Sequence, residues 1–225
     1  MREALYTAEK DGMRLQIFQE TDAGFDPRLE HDNMGEMFCW GRKYTLGDKH
    51  EYRDSDSFLI DLINKAQNEE NDFENIEPGK LLEMARKHAL IFPLFIYEHS
   101  GISISMSCAY PYNDRWDAGQ VGWIYVTFDK IKKAYGKVTK ATKAKAQKVM
   151  EGEVEVYDQY LRGDVYGFVL EKKGTKCICA CCGNEHGDDY EQVESCWGFY
   201  GTDWKTNGMI EHIENEYHPL FDILK

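Results

Sequence analysis

Residues 95–126, FIYEHSGISISMSCAYPYNDRWDAGQVGWIYV, decide the fold. Ile102, Ile104 and Met106 alternate with Ser103, Ser105 and Ser107, the period-two pattern of a strand with one buried face. Val121, Trp123 and Tyr125 interleave with Gly122, Ile124 and Val126, so this second run is apolar on both faces and belongs inside a sheet. Between them lie Pro111, Asn113, Asp114, Asp117 and Gly119, which form turns through a fixed φ, local side-chain hydrogen bonds and tolerance of positive φ. The connection thereby holds Tyr110, Tyr112, Arg115 and Trp116 at the end of a sheet, where binding loops are common. The competing explanation is that these aromatic rings cover the sheet end while Asp117 caps a turn.

Outward from this centre, MRLQIFQE (13–20) reads as a first strand and MFCW (37–40) as a short one. The polar segments 21–37 and 41–55 flank that short strand and are expected to converge. Asp54 or Ser55 caps a helix over 56–68, and Pro78 opens another over 78–88. ALIFPLFIY (89–97) is a buried strand in which Pro93 implies an edge or a bulge. FDKIKKAYG (128–136) forms a short helix, and residues 139–161 a long one with Ala141, Ala144, Val149, Val156, Tyr160 and Leu161 on its apolar edge. VYGFVLEKK (165–173) and QVESCWGFYG (192–201) pair as strands, and a closing helix over 204–217 buries Met209, Ile210, Ile213 and Tyr217. The expected fold is α+β, a largely antiparallel sheet with four to five helices packed around it, in a single domain over residues 1–225.

The chain is 42% hydrophobic and 30% charged, too apolar for a disordered polymer. No run approaches the ~18 apolar residues of a membrane span, and MREALYTAEKDGMR lacks the apolar centre of a signal peptide, so a cytosolic protein with no membrane partner is expected. The net charge of −13 opposes unspecific attachment to nucleic acid and suits a basic partner. The charge is uneven: eight lysines and no acid lie between Lys130 and Lys148, whereas Glu69, Glu70, Asp72, Glu74 and Glu77 crowd one short segment. Solvated surfaces account for both. The long helix, however, is basic in its first half and acidic in its second, against the helix dipole, so its lysines serve solubility or a partner rather than the helix.

Cys179, Cys182, His186 and Cys196 have spacing compatible with a structural zinc, but no second CxxC accompanies the first. Reduced thiols in a hairpin explain the same residues. Cys39 lies near His31 and His50 in sequence, with His99 a further candidate base, yet a strand cysteine is more simply a buried structural thiol. Asp114 and Asp117 suit a divalent ion or a turn equally. No GxxxxGK loop is present and no set of residues identifies a reaction, so the sequence leaves open whether the chain is an enzyme and leans against it.

Several segments together resemble a family of small uncharacterised proteins carried by phages, prophages and plasmids of Gram-positive bacteria: PRLEHDNMGEMFCWGRKYTLGDKH (27–50), PLFIYEHSGISIS (93–105), WDAGQVGWIYV (116–126), VEVYDQYLRGDVYGFVLE (154–171) and ESCWGFYG (194–201). The resemblance implies a mobile-element accessory protein acting in the cytoplasm of the bacterial host, where many such proteins counter CRISPR–Cas, restriction or nucleotide signalling. It carries no activity onto particular residues. The chain departs from the family pattern at Gly41, where a histidine often precedes the basic pair, and at CICACCGNEH (177–186), which lengthens a connection.

Three functions follow as expectations. The first is an inhibitor that binds a host defence protein or ribonucleoprotein through acidic and aromatic surfaces. The second is a binder of a small nucleotide signal, or an enzyme acting on it, in which Arg28, Asp32, Asn33, Arg42, Asp117, Gln120 and Asp158 converge on a pocket, since paired arginines suit phosphate. Tyr112, Arg115, Trp116 and Trp197 complete the set of binding candidates. The third is a nucleic-acid-binding accessory protein using the lysine-rich stretch, against which the net charge counts.

Overall fold

In a computed structural model the chain is α+β, with two four-stranded antiparallel sheets and their helices. The structure describes residues 3–21, 24–41, 43–71, 73, 76–77, 79–99, 101–107, 116–174, 177–178, 181, 185–186 and 189–225, the side chains of 177–178 and 185–186 excepted. In chain order the elements are β1 (Tyr6–Lys10), β2 (Met13–Gln19), α1 (Pro27–Glu30), β3 (Glu36–Cys39), α2 (Ser55–Gln67), α3 (Lys80–Ala85), β4 (Ala89–Glu98), β5 (Ile102–Met106), β6 (Ala118–Thr127), α4 (Phe128–Tyr135), α5 (Lys140–Arg162), β7 (Val165–Lys173), β8 (Cys177–Ile178), β9 (Glu185–His186) and β10 (Tyr190–Tyr200). They form two compact units, one from Met1–Phe25 with Gly163–Lys225 and the other from Asp26–Arg162.

The first unit holds a sheet in the order β1-β2-β7-β10. Alternation places Met13, Leu15 and Ile17 on one face with Phe168 and Leu170, all buried. That face is closed by two 3₁₀ helices, Met209–His212 and Asn215–Ile223, which supply Met209, Ile213, Leu220 and Phe221. A single α-helix over 204–217 is therefore corrected. Gly208 sits at φ +90° and starts the first 3₁₀ segment, and Pro219, which has no N–H to donate, lies within the second. β1 went unrecognised in the sequence because its burial pattern shows only one buried position, Ala8.

The second unit holds a sheet in the order β3-β6-β4-β5 between two helical layers. On one face Met37, Leu94, Ile96 and Ile124 meet Ile131 of α4 and Ala146, Met150 and Val154 of α5. On the other, Phe38, Ile91 and Tyr125 meet Phe58, Leu59, Leu62 and Ile63 of α2 and Leu81 and Ala85 of α3. This two-sided burial is why β6 is apolar from Val121 to Val126.

Asp54 caps α2 by accepting from Ser57 N–H at 2.8 Å, and α4 ends at Gly136 in the left-handed region at φ +80°. One expectation needs correction. The buried stripe of α5 is Ala146, Met150, Val154 and Tyr157, spaced four, four and three residues apart, while Val149 is exposed. For Pro93 the bulge is the alternative that holds: β4 is an inner strand, and its register shifts between Leu94 and Phe95, next to the proline.

Candidate functional site

The two polar segments beside β3 do converge, around a buried arginine. Asp26 caps α1 by accepting from Arg28 N–H, which places Arg28 at the start of that short helix with only 8% of its surface exposed. Its guanidinium grips Asp48 with two bonds, Nε to Oδ1 at 3.0 Å and Nη2 to Oδ2 at 2.5 Å, and donates to Gly35 O at 2.7 Å. Glu153, reaching in from α5, lies 3.7 Å from Nη1 and accepts the N–H groups of Met34 and Gly35 at 2.5 and 2.9 Å. Asp48 also accepts from Met37 N–H, and Tyr157 Oη accepts from Gly47 N–H at 2.8 Å. A side chain at Gly47 would drive a Cβ to 2.4 Å from Met37 O, so the loop requires glycine there. Every carboxylate oxygen in this cluster is committed to holding the loops, and the Arg28 charge is met by two of these carboxylates, although its buried Nη1 has no hydrogen-bond partner among the described residues.

The other members of the expected pocket are dispersed. Asp158 accepts from Ser103 Oγ at 2.8 Å and Ile104 N–H at 2.7 Å while pairing with Arg162 at 3.0 Å, so it fastens α5 along the outer edge of β5. Asn33 donates to the carbonyls of Pro27 and His31, and its own carbonyl accepts from Lys130 Nζ. Asp32 is exposed. Asp117 faces His99 at 3.3 Å. Trp116 is 97% exposed. Trp197 belongs to the first unit, where its ring covers Gly167 so closely that any Cβ there would sit 2.2 Å away. Arg42, Tyr112, Arg115 and Asp114 lie outside the described residues.

Gln120 borders a shallow cleft of about 380 Å³ lined by Trp40, Arg53, Asp54, Ser55 and Trp123. Both indole N–H groups are used internally, Trp40 to Tyr52 O at 3.0 Å and Trp123 to Ser55 Oγ at 2.6 Å. Arg53, the one cation lining the cleft among the described residues, is paired with Asp54 at 2.7 Å and so compensated. A second cavity of about 300 Å³ lies beside Tyr52, Phe58, Asp61, Lys65, His88 and Tyr125. Tyr52 donates to Asp61 at 2.6 Å and Tyr125 to Glu36 at 2.8 Å. Burial first, then these carboxylates, raise both phenols above their ordinary pKa, so they remain protonated donors rather than nucleophiles.

Cys39 is likewise inert. Burial, reinforced by Asp48, pushes its thiol up to about 12. His50 Nε2 is bound to the Cys39 carbonyl at 3.0 Å instead of the sulfur, and its ring is packed between Phe38 and Trp40. Of the zinc candidates, Cys179 and Cys182 lie outside the described residues, and His186 is described only as part of β9. Cys196 is half-buried on β10. No cluster of three metal-ligating residues occurs among the described residues.

Charge separates sharply between the units. The first carries eight Lys and Arg against seventeen Asp and Glu, a net −9, and the second nineteen against twenty-three, a net −4. Within the first, residues 191–195 of β10 are all exposed and include Glu191, Val193 and Glu194. β10 is the outermost strand of its sheet and pairs only with β7 among the described residues. Glu191 and Glu194 were not singled out from the sequence, because an acidic residue in a strand carries no mark of being on an edge. Compared with protein-family models, characterised proteins and solved structures, the chain has no match. No helix among the described residues is long and apolar enough to cross a membrane.

Proposed function

We propose that this chain is a mobile-element accessory protein that inhibits a host defence protein or ribonucleoprotein in the host cytoplasm by binding it, without catalysis. The observation that carries this reading is the exposed acidic stretch 191–195 of β10, the outermost strand of its sheet among the described residues. A surface of that sign fits the basic channels with which nucleases hold nucleic acid, and charge complementarity both speeds encounter and selects the partner. The 97% exposure of Trp116 supports the same reading, since tryptophan is enriched among residues that dominate binding energy at interfaces.

The nucleotide reading is weaker. Arg28, Asn33 and Asp158, on which it relied, instead hold loops and helices in place, and Arg53 in the cleft beside Gln120 is paired with Asp54.

Phage plating on a host carrying an active nuclease defence tests the proposal. Expression of the wild-type chain should raise plating, and Glu191→Lys with Glu194→Lys should abolish that gain while leaving the fold intact. Equal protection by both proteins would reject the acidic strand as the inhibitory surface.

A further inference from the structure

We propose that the groove between the start of β4 and the N-terminal part of α5 docks an acidic segment of a partner protein that carries apolar anchor residues. The inference rests on the protein-binding reading and names a second surface for it. Two adjoining cavities, of about 410 and 500 Å³, share Leu90 and Lys143 and so form one continuous groove. Its floor is apolar, with Leu90, Phe92, Pro93 and Val138, and its rim carries Arg86, Lys140 and Lys143. No carboxylate lines either cavity among the described residues, in a chain whose net charge is −13.

The helix dipole does not account for the rim. The first turn of α5 contains no acidic residue, and Lys140 and Lys143 stand where the helix dipole repels a cation by about 0.3–1 kcal/mol at low salt. Lys143 is also held in place, with its ammonium 3.7 Å above the Phe128 ring, so the charge is directed to the groove instead of sweeping through solvent. Lys132, Lys133, Lys137, Lys145 and Lys148 are exposed and extend the positive field along α4 and α5. A peptide is favoured over nucleic acid by the floor. Of the two aromatic rings lining the groove among the described residues, Phe128 is covered by Lys143 and Phe92 is half-buried against the core, so the floor offers aliphatic side chains such as Leu90, Pro93 and Val138 rather than an open ring on which a base can stack.

The test uses the full chain and three fluorescent probes of equal length: a peptide alternating Glu with Leu, an all-Glu peptide, and single-stranded DNA. Anisotropy should show the Glu–Leu peptide binding most tightly. Lys140→Glu with Lys143→Glu should weaken it about tenfold or more, while Lys172→Glu on the first unit should leave it unchanged. These are surface positions on regular elements, and far-UV circular dichroism verifies that each variant is folded. The proposal is overturned if the all-Glu peptide or the DNA binds as well as the Glu–Leu peptide, or if the double variant binds like the wild type. Glu191→Lys with Glu194→Lys should not affect this peptide, so failure of the groove and failure of the acidic strand are separately visible.

Discussion

The outer edges of β5 and β10 use the same chemical group in opposite ways. At β5 the carboxylate of Asp158 turns inward, takes the Ile104 N–H that points away from β4, and ties the strand to α5. At β10 the carboxylates of Glu191 and Glu194 lie exposed on a strand whose far side has no partner strand among the described residues. An unpaired edge is an aggregation hazard that proteins blunt with charge and bulges, and β10 has both, with register shifts at Gln192/Glu194 and Trp197/Phe199. Charge in the first position is structural. Charge in the second is available to a partner.

That contrast can be broken by mutation. The largest effect belongs to the buried cluster behind β3: Arg28→Ala leaves Asp48 and Glu153 without their cation and should cost about 3–5 kcal/mol, read as a lower urea midpoint. Next, Asp158→Ala strands the Ile104 N–H and should cost about 1–3 kcal/mol, whereas a loss no larger than that of an exposed control would show that the β5 edge is not sealed by this residue. Alkali should act more gradually. Because the native Cys39 thiol is raised to about 12 from an ordinary value near 9, its contribution is fully present below pH 9 and declines as pH rises toward 12. Cys39→Ala should flatten that part of the urea-midpoint profile, and an unchanged slope would contradict the assignment. The smallest effect on stability is expected at β10, where Glu191→Lys with Glu194→Lys should stay within about 0.5 kcal/mol of the wild type.

The layout of strands and helices was largely legible. Period-two and apolar runs located β2 to β7 and β10, and Asp54 or Ser55 marked the start of α2, where the structure shows Asp54 as the cap. The α5 face was misread because Ala141, Ala144 and Val149 form a plausible stripe by themselves, and only packing against the sheet selects Ala146, Met150 and Val154. The candidate site was less legible. Arg28 and Asp48 were recognisable as polar loop residues, but Glu153 joins them across more than a hundred positions, and no local pattern tells a phosphate-binding arginine from one held by two carboxylates. Likewise, nothing in the alternation of β10 reveals that it is the outermost strand of its sheet among the described residues.

Affinity capture from host cells, run in parallel with the wild-type chain and the Glu191→Lys, Glu194→Lys variant, tests the central claim most directly. The account predicts one stoichiometric host protein or ribonucleoprotein retained by the wild type and lost by the folded variant. A bound small molecule with no protein partner, or a partner retained equally by both chains, would contradict it.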